Sequence, residues 1–527
     1  MKKLSIIIAL AGLATVTACK KALDEQPQDA VSRETFWQTE ADAINAVNNC
    51  YRRLGDVDNR MFLTCVTDDS YAWSNWPSDA IYVGNGSASI STGMFDNFWS
   101  NFYKMIASCN DVLENIDRDK ALSEELLNRL KGEARFIRAY AYQQLIGLYG
   151  DVVLRTTIPP TSEFNVKRTS RAEVAEFIVK ELDEISASLP VSYDAADEGR
   201  ATRGAALALK SRVLLYEGKY PEAAEAAQAA MSLGSYIIDP SYLSLFDGTN
   251  KNSKEIILSA RYVKNTLPNA MATWVGGPSL GGWSEITPLQ SLVDAYECTD
   301  GKTIGASALY DPARPFENRD PRLKLTIVVP GVQVNGVTID VTNLNGLDAL
   351  GKGNASFTGY YYKKYVPRDI QGNWDNNSYN DVVLMRYAEV LLNYAEAKIE
   401  SNQIDQTVYD AINQVRQRTG VDMPALTPAN TSGQEALRVA VRRERRVEFP
   451  MEDNRLFDIR RWKIAEQVMA GPAYGILNNF DANRKDDYGK NILVEQRSFQ
   501  PGRDYLWPVP QREVSLNSGV LPNNPGW

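Results

Sequence analysis

Residues Ala206-Leu-Ala-Leu-Lys-Ser-Arg-Val-Leu-Leu-Tyr-Glu-Gly-Lys-Tyr-Pro-Glu-Ala-Ala-Glu-Ala-Ala-Gln-Ala-Ala-Met231 decide the fold of this chain. Gly218, Tyr220, Ala223, Ala227 and Ala230 stand at the spacing of a tetratricopeptide hairpin, in which small residues let two antiparallel helices approach closely. The same helical period recurs on both sides. In the run from Arg386 to Ala397, Tyr387, Val390, Leu391, Tyr394 and Ala395 fall at i, i+3, i+4, i+7 and i+8, one apolar helix face. Ile137, Tyr140, Ala141, Leu145 and Leu148 make a similar stripe closed by Gly150. Ser170 and Glu173 form a capping-box signature that opens a helix through about Ala187. Further helices are expected over 409–419 and 434–449. Several helix hairpins in one chain predict a helical-repeat chassis.

Between about Ser235 and Asp381 the helical period largely disappears. Short β-like runs, Glu255 to Tyr262 and Leu323 to Val329, alternate with Gly, Asn, Pro and Asp clusters. This pattern predicts a mixed, loop-rich lobe at 235–380, inserted between helical parts at 19–234 and 381–527, with the last fifty residues irregular.

The chain has 527 residues, enough for two to four average domains or one large one with insertions. Its formal charge is −9, which argues against nucleic acid, because neutralising phosphates needs a basic face. There is no histidine. That removes the commonest general base, the usual third member of a nucleophile triad and the commonest zinc ligand. Carboxylate chemistry such as glycoside hydrolysis survives the exclusion.

The chain begins Met1-Lys-Lys, continues with about ten apolar residues and reaches Val16-Thr17-Ala18-Cys19. A basic start, a short apolar run and small residues at the cut mark an export signal over 1–18, too short to span a bilayer. The last four residues resemble the lipobox of bacterial lipoproteins, so Cys19 is the expected lipidation site and the mature chain a soluble protein tethered to a membrane outside the cytoplasm. Several acyl chains, at ~0.8 kcal/mol per buried methylene, give a stable anchor. Cys50, Cys65, Cys109 and Cys298 permit three connectivities, among which nothing in the sequence chooses.

Many motifs in fixed order carry a family resemblance. They are Cys19 to Pro27, Phe36-Trp37-Gln-Thr-Glu40, Phe98-Trp99, Cys109-Asn110, Glu133-Ala-Arg-Phe136 and Tyr149-Gly-Asp151. Then come Leu292-Val-Asp-Ala-Tyr296, Asn318-Arg-Asp-Pro-Arg-Leu323, Arg386 to Ala397 and Asn413-Gln-Val-Arg416. Glu444-Arg445, Glu448-Phe449, Arg460-Arg461-Trp462, Leu506 to Glu513 and Asn524-Pro-Gly-Trp527 complete the set. Together they resemble the SusD-like (RagB-like) outer-membrane nutrient-binding lipoproteins, over nearly the whole chain. The resemblance implies a mainly α fold, four tetratricopeptide-like helix pairs supporting a loop-rich lobe with short β-strands. It also implies a cell-surface binding protein without catalysis or cofactor, which captures oligosaccharide and passes it to a SusC-like TonB-dependent transporter.

Of ten tryptophans, Trp37, Trp99, Trp462, Trp507 and Trp527 lie in these framework motifs and read as packing residues. Trp73, Trp76, Trp274, Trp283 and Trp374 sit instead in Gly/Ser/Asn/Pro-rich segments and belong to no helical stripe. A pyranose offers a flat face of C–H bonds and a rim of hydroxyls. Indole supplies the matching plate, and Asn, Asp or Tyr nearby supplies the rim. The expected glycan site is therefore Trp73, Trp76, Trp274, Trp283 and Trp374, with Asp69, Asn75 and Tyr296 as rim residues by their position in those segments. In the family the corresponding N-terminal loop and inserted lobe contribute to that site.

Two motifs receive structural readings. The charges of Val441-Arg-Arg-Glu-Arg-Arg-Val-Glu448 are expected to pair along and between helices, since acids are interleaved. Asp375-Asn-Asn with Asp381 lacks the alternating spacing and glycine of a calcium loop and reads as a solvated turn, so no metal site is expected. The competing functions are a secreted carboxylate-based glycoside hydrolase and a repeat adaptor that binds only proteins.

Overall fold

The computed structural model describes residues 36–56, 60–160, 165–369 and 377–527. The export signal, Cys19 and Trp374 lie outside the described residues. The longer helices are α1 (Glu40–Arg52), α2 (Gly93–Asn115), α3 (Glu124–Tyr149), α4 (Arg171–Ser186), α5 (Arg203–Tyr216) and α6 (Tyr220–Met231). After the lobe follow α7 (Tyr387–Glu400), α8 (Gln406–Arg416), α9 (Gln434–Glu448) and α10 (Asn454–Arg461). Helices α1/α2, α3/α4, α5/α6 and α7/α8 pack as four pairs, and α3 on α2, α5 on α4 and α7 on α6 join them into one array.

Local chemistry sets the boundaries. Ser170 accepts from the Glu173 amide while the Glu173 side chain reaches back to the Ser170 amide, so the capping box is present and α4 starts where its sequence says. Between α5 and α6 the chain turns at Gly218, φ +72°, a left-handed conformation that a Cβ would strain. Ala223, Ala227 and Ala230, spaced along α6, are fully buried, and their small size permits the close packing of the pair.

The strands are short. They are β1 (Ser70–Ala72), β2 (Ile256–Ala260), β3 (Ile286–Pro288), β4 (Ile327–Val328), β5 (Val332–Val334), β6 (Val337–Ile339), β7 (Tyr361–Tyr362), β8 (Val382–Arg386), β9 (Gly471–Leu477) and β10 (Asn491–Arg497). They form five two-stranded antiparallel ladders: β1–β3, β2–β8, β4–β7, β5–β6 and β9–β10. Three sequence expectations need correction. Residues 382–386 are strand, and helix resumes only at Tyr387. Leu323 to Thr326 lie in the short helix Arg322–Thr326, because Asp320 accepts the Arg322 amide (2.9 Å) and starts a turn after Pro321. The C-terminal fifty residues contain β10, hidden in the sequence because a long loop rather than a tight turn joins it to β9.

A buried ionic hub ties the lobe to the helices. Glu448, at the end of α9, is fully buried and meets Arg322 (2.8 Å), Arg386 (2.6 Å) and Arg418 (2.8 Å). Arg386 also pairs with Glu255 (2.8 Å), and Arg322 with Glu444 (2.6 Å). Burial alone would raise the Glu448 carboxyl, but the three guanidinium groups hold it well below the usual carboxylate range. Most pairs of the arginine-rich run thus reach across elements rather than along α9. Asp381, read as part of a solvated turn, is instead buried and pairs with Lys251 (3.0 Å) and Arg261 (3.1 Å). The four described cysteines are buried free thiols.

Candidate functional site

The β1–β3 ladder brings two distant segments of sequence together. Ser70, Tyr71 and Ala72 pair with Pro288, Thr287 and Ile286, so the chain leaving β1 through Trp73 and Trp76 runs beside the chain entering β3 through Trp283. Trp283 is in turn folded back onto Trp274. Its amide donates to Thr273 (2.7 Å), and the Gly282 amide donates to Gly277 (3.0 Å). A Cβ on Gly282 would lie 1.9 Å from the Gly276 carbonyl oxygen, so this loop closes only with glycine.

Three indoles consequently form one cluster. Trp76 is 54% exposed and lies edge-on over Trp274 (5.2 Å between centroids, 70° between planes). It is tilted against Trp283 (5.5 Å, 36°), and Trp283 meets Trp274 edge-on (5.7 Å). Trp274 is 4% exposed and is backed by Phe62 (6.0 Å). Trp73, half-buried, donates its indole N–H to the Trp283 carbonyl (3.2 Å) and packs on Phe357 (5.8 Å, 35°). The result is two ring pairs, Trp76–Trp283 and Trp73–Phe357, joined through the Trp73–Trp283 hydrogen bond into an aromatic band rather than a pocket. It rests on a buried base and carries the exposed Asn75 beside Trp76.

The base is anchored from the helical side. Asp68 accepts both Arg455 (2.7 Å) and Arg446 (2.9 Å), and Asp69 accepts Arg446 (2.8 Å), which pins the segment before β1 onto α9 and α10. Glu285, between Trp283 and β3, is 2% exposed, and among the described residues its Oε2 has no hydrogen-bond partner. Burial pushes its carboxyl up to about 8, so it stays a neutral acid in the interior at pH 7.

These positions correct part of the sequence reading. Asp69 is 1% exposed and engaged by Arg446, so it anchors the loop and offers no rim to a ligand. Tyr296 is fully buried, because the chain leaves the short helix Gln290–Ala295 inward in an extended conformation. Trp274 is the base of the cluster and presents no open face. Trp73, Asn75, Trp76 and Trp283 are brought together near the surface. Phe357, 38% exposed, was missed. Its setting, Gly353-Asn-Ala-Ser-Phe-Thr-Gly359, has the same small polar composition that singled out the tryptophans, and extending that criterion to phenylalanine finds it. The framework reading of the other tryptophans matches their environments: Trp37, Trp99 and Trp507 are buried, and Trp462 and Trp527 bond through their indole N–H to Glu396 (2.7 Å) and Leu506 (3.0 Å).

Among the described residues, no helix is long and apolar enough to cross a membrane, and no cluster of acidic or cysteine side chains is arranged to hold a metal ion.

The profile of the SusD family matches residues 244–527, and a second, described as starch-binding associating with outer membrane, matches residues 21–215. A SusD-like protein from Formosa agariphila, P2, is 26% identical over the full length of both chains. A SusD-like carbohydrate-binding protein from Bacteroides fragilis superposes with a TM-score of 0.86 at 29% identity, covering 92% of this chain and all of that one. A second SusD-like protein from the same organism gives 0.83 at 29% identity, covering 95% of this chain and all of the other.

Proposed function

The chain belongs to the SusD family, and from that premise we propose that it is a cell-surface glycan-binding lipoprotein. In this reading Cys19 carries the lipid that holds it at the outer membrane, and it delivers captured oligosaccharide to a SusC-like TonB-dependent transporter. It binds without catalysis. Trp73, Trp76, Trp283 and Phe357 are the plate on which pyranose rings lie, Asn75 is part of the rim, and Trp374 remains a candidate from its sequence setting.

The exposure of Trp76 is the observation that carries the reading. A large apolar side chain left over half open to water forgoes part of the ~1.5–3 kcal/mol that burying a large apolar side chain returns. The ring nevertheless stands on rigid neighbours, held by Trp274 and Trp283 on two sides. A preformed ring loses little freedom when a sugar stacks on it. Two stacked rings and three or four hydrogen bonds, at roughly 1 kcal/mol each, give a dissociation constant on the order of 10 µM to 1 mM. Such weak capture suits handover.

Affinity electrophoresis against a panel of soluble polysaccharides tests the reading. The wild-type chain is expected to be retarded by at least one polymer, which it leaves unhydrolysed on prolonged incubation. Steady release of product would instead favour a carboxylate-based hydrolase. Retardation by none, with binding only to other proteins, would favour an adaptor.

A further inference from the structure

A second cleft lies apart from the tryptophan band, about 580 Å³ in volume and within the range of small-ligand sites. Its walls carry the partly exposed rings of Tyr310, Phe316 and Phe480. On its floor a hydrogen-bonded relay runs from the Tyr360 hydroxyl to Gln290 Oε1 (2.6 Å) and from Gln290 Nε2 to Asp294 Oδ1 (2.8 Å). Phe316 meets Tyr360 edge-on (6.2 Å), and the Arg319 guanidinium caps Tyr310 (5.7 Å) while donating to the carbonyls of Val293 (2.6 Å) and Tyr296 (2.9 Å). The rings and the relay are therefore fixed in advance of any ligand.

Asp294 is the informative group. It is open to water and accepts a hydrogen bond from Gln290, and among the described residues it enters no ion pair. The protein crowded around it raises its carboxyl above the ordinary range, and neither the Gln290 hydrogen bond nor the charges of Arg319 and Arg446 reverse that. A solvent-reachable carboxyl in a cleft that aromatic rings also line is the acceptor and plate combination that a polyhydroxylated ring satisfies. One carboxylate accepts from two neighbouring hydroxyls, and an apolar ring face covers the C–H side. A cationic ligand fits less well, because Arg314 and Lys324 also line the cleft.

We propose that this cleft is a second carbohydrate-binding site, taking pyranose units with vicinal hydroxyls on Asp294 and the ring face on Tyr310 or Phe316. It goes beyond the tryptophan band and does not depend on it. One short stretch of chain serves both sites: Phe357 packs on Trp73, and three residues later Tyr360 donates to Gln290 on the cleft floor. A glycan long enough to reach both sites gains avidity over either one alone.

The test is affinity electrophoresis of the full chain in soluble starch, laminarin, xylan and galactomannan, followed by calorimetry with whichever polymer retards it. Asp294→Ala and Tyr310→Ala are examined singly, each checked for an unchanged unfolding midpoint, beside the double variant Trp73→Ala/Trp76→Ala. Each cleft variant is expected to weaken binding about fivefold, the loss of one hydrogen-bond or stacking contribution. The band variant should retain residual binding that disappears when Asp294→Ala is added. Wild-type affinity in both cleft variants overturns the second site while leaving the band reading intact. Weakening by the cleft variants alone supports the second site and overturns the band. Retardation by none of the four polymers counts against both sites.

Discussion

Two aromatic clusters in this molecule use the same side chain in opposite ways. Around Trp507, which is 1% exposed, Phe95 (5.1 Å), Phe98 (5.4 Å) and Tyr149 (5.7 Å) close every face, and the Trp507 amide donates to Leu148 on α3. Around Trp76, the rings of Trp274 and Trp283 support the indole from beneath and beside, and over half of it faces water. The first cluster spends its apolar surface on joining the C-terminal segment to the helices. The second is equally well braced but keeps a face unspent. Rigidity without burial is what separates a binding surface from a core.

The contrast extends to charge. In the hub, Glu448 is buried against three arginines. Glu285, two residues after Trp283, is buried with no partner on Oε2 among the described residues. Breaking the hub should give the largest effect. Glu448→Ala leaves Arg322, Arg386 and Arg418 short of a counter-charge in the interior and is expected to cost at least about 3–5 kcal/mol in denaturant unfolding. A loss below about 1 kcal/mol would mean that the hub does not hold lobe to frame. Trp507→Ala comes next, at about 3–5 kcal/mol, because it removes a fully enclosed ring and leaves a cavity.

The buried acid sharpens the comparison through its pH dependence. Unfolded, Glu285 ionises above about 4.5, whereas folded it keeps its proton until about 8. Between those values the unfolded state binds fewer protons, so Glu285 makes stability fall as pH rises. Glu285→Gln should therefore gain on the wild type across that window, by on the order of a few kcal/mol, and hold a constant lead above it. Parallel pH profiles of the two proteins would show that the carboxyl is not desolvated. Glu448 contributes with the opposite sign: its stabilisation is present above its ordinary value and is lost as acid protonates it. The smallest effect on stability belongs to Trp76→Ala, expected below about 1 kcal/mol because the ring is mostly exposed. A loss like that of Trp507→Ala would make Trp76 a packing residue.

The helical frame was legible because its information is local and periodic. The stripe at Tyr387 to Ala395, the Ser170/Glu173 box and the Gly218 turn each specify their own element. The site was legible in composition and not in direction. Trp73, Trp76 and Trp283 are legible because large rings stand out in polar loops, and Asn75 through its place between two of them. Sequence position beside a tryptophan, however, says nothing of where a side chain points, and both Asp69 and Tyr296 turn inward. The reason lies in long-range partners: Asp69 is turned by Arg446, 377 positions away, and β1 is set by β3 more than two hundred residues on. Strands of three residues carry too little pattern to declare such pairings.

Binding of the most strongly retained polysaccharide to the folded Trp73→Ala/Trp76→Ala variant tests the central claim most directly. Loss of most of the wild-type affinity, at least about tenfold for two removed plates, with unfolding nearly unchanged, is the predicted result. Undiminished affinity, or weakening that only tracks a large loss of stability, would contradict it.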